Sequence, residues 1–437
     1  MTRRVAARDA LPGRWDRGAR AVAGDLAVVA ELPLDDGLVL AVLVAEDGRR
    51  FAAPLVVGSP AWRRAVPGDG AAEALTRLLA RAAQGEPGTG DDVTLVSWGA
   101  RPVVGERPVD VDQTHESVVV GDAAVVKWAV ELTPGPHPAP QRLAALVAAG
   151  FDAMPPPWGL VEWHDPDTGG AAVLLATVAG FLPEATDGWE WAVGDLRAAA
   201  ADGRPLHGAT AAPRVLGATT ARLHLALSAE GAVPASPRWA QDLADASIGE
   251  ARLALDEVDG MEGARLRARG EVLLRELAGL GDCAGTPLAP VHGDLHVGQV
   301  LRHRAADGGW AYAITDFDGN PVADPAERAS PQPPARDVAG MLQSLDHVGR
   351  VVLRRTDGVD AAYVTAWIPA AQREFLSAYA ATLDRSGRPE LLDHRLLRPL
   401  RLLQEVREFR YAVHHLPHWR YVPDGALQDL IPLTDED

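Results

Sequence analysis

The hydrophobic pattern changes near Pro183, and this change is the strongest constraint on the fold. Before this point, short apolar runs alternate with Gly- and Asp-rich turns, which is typical of β-strands joined by hairpins. Beyond it, long segments carry apolar residues at the spacing of amphipathic helices. We therefore predict an α+β protein with a strand-rich N-terminal half and a helical C-terminal half.

The pattern also gives approximate bounds for the elements. Predicted strands cover 26–32, 38–45, 51–57, 93–98, 117–120, 123–130 and 172–178, with a helix over 71–83. Predicted helices cover 189–201, 215–227, 239–255, 264–280, 338–353, 361–383 and 396–415. Only two strand-and-loop segments, 290–302 and 310–317, interrupt the helical half, so we expect the polar chemistry to lie in them.

Two polar motifs occupy these interruptions and are joined by one predicted strand. The first reads HGDLHVGQ over 292–299, and the second reads DFDGNP over 316–321. In kinase-type phosphoryl transfer, a loop Asp accepts the proton of the acceptor hydroxyl, an amide five residues later binds Mg²⁺, and an Asp after the next strand binds the metal. This order makes Asp294 the candidate base, with Gln299 and Asp316 as candidate Mg²⁺ ligands. The alternative, that these residues only cap turns, explains each motif alone but not both in this order.

Lys127 is the only lysine in a chain with 41 arginines. It lies in the apolar segment AVVKWAV, where a strand lysine can reach the phosphates of a nucleotide. The alternative is a surface lysine on an edge strand. Because an ammonium and a guanidinium are not interchangeable at a phosphate site, the composition favours phosphate binding. No glycine-rich phosphate loop precedes it, so residues 112–117, with Ser117, are the candidate phosphate-covering loop.

Charge and composition exclude several classes of protein. The net charge of −18 argues against nucleic acid or an anionic membrane surface as a partner. The single cysteine, Cys283, cannot form an internal disulfide, and no Cys/His cluster has zinc-binding spacing. No apolar run approaches the ~20 residues of a membrane span. We expect a soluble, cytoplasmic monomer or weak dimer.

The two motif blocks closely resemble the actinobacterial maltokinases, which belong to the aminoglycoside-phosphotransferase-like, eukaryotic-kinase-like superfamily. Further matching segments are 117–138, 181–192 and 405–419, and the resemblance covers about 95 to 420. It implies a bilobal kinase that uses ATP and Mg²⁺ to phosphorylate a sugar hydroxyl. It also implies three parts: a β-rich cap over 1–95, the remaining N-terminal lobe with the ATP-binding strands over 96–182, and a helical C-terminal lobe over 183–437.

The resemblance assigns roles to particular residues. Lys127 would bind phosphates, Asp294 would be catalytic, and Gln299 and Asp316 would bind the metal. Adenine would bind near the segment that follows the last N-terminal strand, at Thr177, Val178, Ala179 and Phe181. The loop residue His292 is expected to be structural, and Asp337 is expected to cap a helix or brace the catalytic loop.

One block departs from the maltokinase pattern, which usually reads Asp-Phe-Glu-Gly-Glu-Pro. The sequence DFDGNP resembles instead the relatives that phosphorylate glucosamine to glucosamine 6-phosphate, and it contains Asn320, the only asparagine in the chain. A substrate ammonium requires nearby carboxylates, and an aromatic side chain suits any sugar. The candidate substrate residues are Asp294, His296, Asp318, Asn320, Glu405, Glu408, Tyr411 and Trp419.

The sequence therefore predicts a glucosamine kinase. The alternatives are a maltokinase that makes maltose 1-phosphate, an aminoglycoside phosphotransferase, and a nucleotide-binding pseudokinase. Pseudokinases commonly lose one of the four central residues, so the intact set of Lys127, Asp294, Gln299 and Asp316 argues against the last of these.

Overall fold

The computed structural model describes residues 3–13, 22, 24–58, 61–85, 92–109, 116–133, 135–321 and 323–433. The chain divides into two compact units. The first contains Met1–Val147, Met154–Glu184 and Pro321–Ala329, and the second contains Ala148–Ala153, Ala185–Asn320 and Ser330–Asp437. Antiparallel sheets dominate the first unit and helices dominate the second, which is the α+β arrangement that the periodicity predicts.

The described residues form these strands: β1 (Arg4–Ala6), β2 (Asp25–Asp35), β3 (Leu38–Val44), β4 (Arg50–Val56), β5 (Arg63–Arg64), β6 (Val93–Ser97), β7 (Glu106–Pro108), β8 (Glu116–Val120), β9 (Ala124–Trp128), β10 (Glu131–Leu132), β11 (Pro157–Asp165), β12 (Ala171–Gly180), β13 (Val233–Pro234), β14 (Pro287–Leu288), β15 (Val300–Arg304) and β16 (Trp310–Ile314). They form these α-helices: α1 (Ala7–Ala10), α2 (Ala71–Ala82), α3 (Pro138–Ala148), α4 (Gly188–Ala201), α5 (Leu206–Ala209), α6 (Ala211–Leu227), α7 (Pro237–Glu257), α8 (Gly260–Ala268), α9 (Gly270–Ala278), α10 (Pro325–Ala329), α11 (Ala335–Arg355), α12 (Ala361–Arg385), α13 (Leu397–His414) and α14 (Tyr421–Leu430).

Two antiparallel sheets build the first unit. One has the order β1-β2-β3-β4-β10, with β5 also paired to β4, and the other has the order β6-β11-β12-β9-β8-β7. Strand β3 is buried on both faces because successive side chains point to opposite sides. Leu40 and Val42 join the core shared with α2 and the second sheet, whereas Ala41 and Leu43 join a separate core. The division at residue 95 stays a prediction.

Helix α11 is the centre of the second unit, where it packs against α4, α12, α13 and α14. Its side chains are buried along most of its length, including the polar residues Asp337 and His347. An amphipathic pattern explains the helix, but these buried polar groups require partners. They link α11 to the functional site.

The helix predicted over 264–280 is in fact two helices, α8 and α9, separated at Arg269. The Arg269 guanidinium is buried and donates to the carbonyl of Ile431 (2.8 Å), so the chain turns to meet the C-terminal segment. Within the described ranges, no helix has the length and apolar character needed to cross a membrane.

Candidate active site

Asp337 holds the loop that carries the candidate base. Its carboxylate, 1% exposed in the first turn of α11, accepts hydrogen bonds from the backbone N–H groups of His292 (2.7 Å) and Gly293 (2.9 Å). Gly293 has φ +83°, a conformation that glycine adopts without strain. Asp294 follows directly, so its backbone position is fixed by Asp337. Of the two roles expected for Asp337, the contacts match the loop brace.

A buried chain of hydrogen bonds through His224 and Tyr379 holds the Asp337 carboxylate in place. His224 Nε2 lies 3.0 Å from Asp337 Oδ2, and His224 Nδ1 lies 2.7 Å from the Tyr379 hydroxyl. Burial raises the pKa of Asp337, but the hydrogen bonds from His224 and from the backbone N–H of Gly293 are among the interactions that outweigh burial and lower it overall. The Asp337 carboxylate therefore stays ionised and keeps its full capacity to accept hydrogen bonds.

His292 ties the catalytic loop to the second motif. Its Nε2 donates to the carbonyl of Thr315 (2.8 Å), which leaves Nδ1 to accept the N–H of Asp294 (3.4 Å). The imidazole also packs against Phe317, with ring centroids 5.3 Å apart. His292 is thus structural, as predicted, and it fixes the two motifs side by side.

The two candidate metal ligands meet in this arrangement. Gln299 Nε2 donates to Asp316 Oδ2 at 3.4 Å, although the residues are 17 positions apart. Asp316 has φ +64°, which is unfavourable for a residue with a Cβ and recurs at functional sites. Among the described residues, no group of three or more His, Cys, Asp or Glu side chains could hold a metal ion. A metal here would take further oxygen ligands from phosphates and water, as Mg²⁺ does in kinases.

An aromatic and acidic cluster adjoins the catalytic loop. The His296 ring lies 6.4 Å from Trp189, and Trp189 meets Trp419 edge-to-face at 5.9 Å. Trp419 Nε1 donates to Glu408 Oε2 at 3.2 Å. Two predicted substrate residues, His296 and Trp419, therefore contact Trp189, and a third, Glu408, joins this cluster through Trp419.

Sequence reasoning missed Trp189, although a signal was present. It stands at the start of α4 next to Gly188, where an added Cβ would lie 1.7 Å from the carbonyl oxygen of Val297 in the catalytic loop. Only glycine permits this close approach. The glycine thus brings Trp189 against His296.

Two other predicted substrate residues are placed differently. Glu405 is fully buried, and its Oε1 accepts from Gln343 Nε2 and lies 2.9 Å from His347 Nε2, so it offers no surface to a sugar. This corrects the prediction that Glu405 contacts the substrate. The Tyr411 ring is half exposed and packs against His415, outside the Trp419 cluster. Asp318 and Asn320 lie, half-buried, in the turn after Asp316.

His347 is expected to make the stability of the protein depend on pH. Burial lowers its pKa, but the charges of Glu405 and Glu408 on α13 and of Asp346 on α11 outweigh burial and raise it to about 9. A raised histidine pKa stabilises the fold fully below the unfolded value of 6.5, and this contribution is lost as pH rises through 9. We expect His347→Gln to lower the free energy of unfolding by about 3 kcal/mol more at pH 6 than at pH 10.

Denaturant unfolding of both proteins at the two pH values measures this difference. His394→Gln, at an exposed histidine, is the matched control and should show no such dependence. A loss of stability in His347→Gln that is equal at both pH values would contradict the assignment of a charged imidazole.

In the first unit, Lys127 lies in a row of polar side chains across three strands. It pairs with Ser117 of β8 on one side and with Thr177 of β12 on the other. All three are partly exposed, while Val126 and Trp128, on the opposite face of β9, are buried in the core. Because β9 lies between two strands, the edge-strand interpretation of Lys127 is wrong.

The other candidate nucleotide-binding residues differ in their exposure and in the groups that they leave available to a ligand. Ala179 shares the partly exposed face of Thr177, but the Val178 side chain is 2% exposed and belongs to the core. The Phe181 N–H donates to the carbonyl of Ala123 (2.9 Å), so it is not available to adenine. The Phe181 ring packs beneath Arg107, 5.0 Å away. Residues 112–115 of the candidate phosphate loop lie outside the described residues.

Comparison with known proteins identifies the family. The chain is 50% identical over 431 residues to a glucosamine kinase of Streptacidiphilus jiangxiensis, covering 97% of this chain and 95% of that protein. The chain belongs to the glucosamine kinase family. A glucosamine kinase of Mycolicibacterium smegmatis is 45% identical over 372 residues, covering 85% of this chain and 90% of that protein. No protein-family model matches the sequence.

Solved glucosamine kinase structures share the fold. One superposes with a TM-score of 0.87 at 47% identity, covering 98% of this chain and 99% of that one. Another, in complex with glucosamine, ADP and inorganic phosphate, superposes with a TM-score of 0.84 at 47% identity, covering 98% of each chain. The predicted α+β fold and the predicted relation to glucosamine kinases are confirmed.

Proposed function

We propose that this protein transfers the γ-phosphoryl group of ATP to glucosamine, which gives glucosamine 6-phosphate and ADP. The observation that carries the proposal is the cluster of His296, Trp189, Trp419 and Glu408 beside a braced catalytic loop. The solved structure of a glucosamine kinase of 47% identity, in complex with glucosamine, ADP and inorganic phosphate, supports the choice of substrates.

The acceptor side suits a protonated amino sugar. The indole of Trp419 provides a flat apolar surface for the C–H face of a sugar ring and attracts cations. The carboxylate of Glu408, fixed on the indole Nε1, provides negative charge for an ammonium group. Asp318 and Asn320, in the turn after Asp316, are the further proposed contacts. A disaccharide such as maltose has hydroxyl groups but no ammonium, so it can hydrogen-bond to these carboxylates but gains no charge–charge attraction.

The chain's own groups perform the transfer. Asp294 orients the 6-hydroxyl and accepts its proton as the oxygen attacks the γ-phosphorus. Lys127 binds the phosphates as a point charge, with Ser117 and Thr177 beside it on the same face of the sheet. Asp337 holds the backbone that precedes Asp294, so the carboxylate is oriented before the substrate binds.

Gln299 and Asp316 fit a Mg²⁺ ion. Their amide and carboxylate oxygens are the hard ligands that Mg²⁺ prefers, and the two side chains lie within hydrogen-bond distance of each other. When bound, the ion would neutralise charge on the phosphates during transfer. The net charge of −18 argues against nucleic acid and anionic membranes as partners, and a cytoplasmic monomer or weak dimer stays a prediction.

Steady-state ATP consumption with glucosamine, glucose, maltose and kanamycin tests the proposal. We expect the highest kcat/KM with glucosamine, exceeding that for glucose by about tenfold or more, because one favourable charged contact contributes about 1.4 kcal/mol or more. Turnover of maltose alone would identify a maltokinase, and turnover of kanamycin alone an aminoglycoside phosphotransferase. Binding of ATP without turnover of any acceptor would favour a pseudokinase.

A further inference from the structure

The indole of Trp419 is held on several sides. Its Nε1 donates to Glu408, and Trp189 meets it edge-to-face at an interplanar angle of 84°. The imidazole of His347, on α11, meets it at 89° with ring centroids 6.3 Å apart. The contact with Trp189 links the indole to the catalytic loop, and the contact with His347 links it to the interior of the second unit.

His347 is itself fixed by a buried partner. Its side chain is 3% exposed, and its Nε2 lies 2.9 Å from Oε1 of Glu405, which is fully buried on α13. The amide of Gln343, one turn earlier on α11, donates to the same oxygen. Rotation of the imidazole away from Trp419 would leave a carboxylate buried without its counter-ion, which is strongly unfavourable.

The pair is poorly explained by stability alone. Apolar residues fill several buried positions beside it on α11 and α13, among them Leu345, Val348, Leu402 and Val406, although Gln343, Ser344 and Asp346 on α11 are buried as well. A buried ion pair rarely stabilises a fold more than apolar residues of the same volume. Within the described residues, the second oxygen of Glu405, Oε2, is buried and has no hydrogen-bond partner. The pair fixes one orientation of the imidazole, although it leaves one buried oxygen of Glu405 without a hydrogen bond from any described residue.

We infer that the His347–Glu405 pair is a positioning element of the sugar site: it fixes the imidazole against Trp419 and thereby fixes the indole and the carboxylate of Glu408. This inference rests on the proposed function, because it takes Trp419 and Glu408 as the groups that receive glucosamine. His347 and Glu405 do not touch the sugar, since both side chains are buried.

Kinetics with both substrates varied test the inference. His347→Gln removes the aromatic edge, and we expect it to raise KM for glucosamine by about tenfold while KM for ATP changes by less than about twofold. Trp419→Phe should also raise KM for glucosamine. In the double variant, the further effect of His347→Gln should fall below about twofold, because the ring that it supports is already changed.

Glu250→Gln is the matched control. It breaks the ion pair of Glu250 with Arg407, which joins α7 to α13 (2.7 Å), and should leave KM for glucosamine unchanged. If His347→Gln does not fold, the doubly neutral variant His347→Gln with Glu405→Gln removes the uncompensated charge and is expected to show the same rise in KM. An unchanged KM for glucosamine, equal changes for both substrates, or additive effects in the double variant would overturn the inference.

The outcomes separate this inference from the proposed function. If the unaltered protein does not phosphorylate glucosamine, the proposed function fails. If it does, and the His347 variants keep the KM of the unaltered protein, only the positioning role fails.

Discussion

Replacement of Asp294 by asparagine is expected to lower kcat for glucosamine by about 10³-fold, within the usual range for loss of a general base. The amide has nearly the same shape but cannot accept the proton of the attacking hydroxyl. Because Asp337 and His292 hold the loop through other groups, the loop should keep its conformation. Binding of ADP, measured by calorimetry, should therefore change by less than about threefold.

Asp307→Asn is the control for this variant. Asp307 lies in the exposed turn between β15 and β16, where its carboxylate accepts from the N–H of Gly309 (2.8 Å). Its substitution should leave kcat unchanged. A kcat for Asp294→Asn above about a tenth of the value of the unaltered protein would contradict the assigned base.

Replacement of Asp316 by asparagine is expected to lower kcat by about 10²- to 10³-fold at a fixed Mg²⁺ concentration, since a metal ion contributes several kcal/mol to phosphoryl transfer. Asparagine tolerates positive φ better than most residues, so the backbone at φ +64° should be preserved. The variant thus removes the charge of the carboxylate with little change of conformation.

The dependence on Mg²⁺ identifies the cause of that loss. ADP binding to the unaltered protein should strengthen when Mg²⁺ is added, and in Asp316→Asn this difference should largely disappear. Asp307→Asn should respond to Mg²⁺ as the unaltered protein does. Strengthening by Mg²⁺ that is equal in Asp316→Asn and in the unaltered protein would contradict the ligand assignment.

The sequence predicts most of the fold because most elements show a clear hydrophobic period. Strand β11 was not among the predicted strands, although it lies between β6 and β12 in the second sheet. It begins at Pro157, after two further prolines, and contains Gly159, which usually indicates a loop. The structure explains the glycine, because an added Cβ would lie 2.4 Å from the carbonyl oxygen of Val96 in the neighbouring strand.

Some features of the site also follow from the local sequence, whereas others depend on tertiary structure. Asp294 and Gln299 precede one hairpin and Asp316 follows it, so the contact between Gln299 and Asp316 follows from sequence spacing. The edge-strand alternative for Lys127 is removed by strand pairing on both sides of β9. Composition alone indicates a special role for this lysine, because the other 41 residues of the Lys and Arg type in the chain are all arginines.

For helix α13, the sequence does not determine which of its acidic side chains is buried. Glu405 and Glu408 are three positions apart on one helix, and both are plausible partners for a sugar amine. Whether each faces the interior or Trp419 depends on the rotation of α13 against α11, which only tertiary packing sets. The structure buries Glu405 against His347, 58 positions away in sequence, and leaves Glu408 on the indole of Trp419.

The location of the transferred phosphoryl group tests the central claim most directly. The protein would be incubated with glucosamine, ATP and Mg²⁺, and the product would be examined by two-dimensional ³¹P–¹H NMR. We predict one phosphoester whose phosphorus couples to the two protons on C6, formed in equal amount to ADP. A phosphorus coupled to the proton on C1, or formation of ADP without any sugar phosphate, would contradict the account.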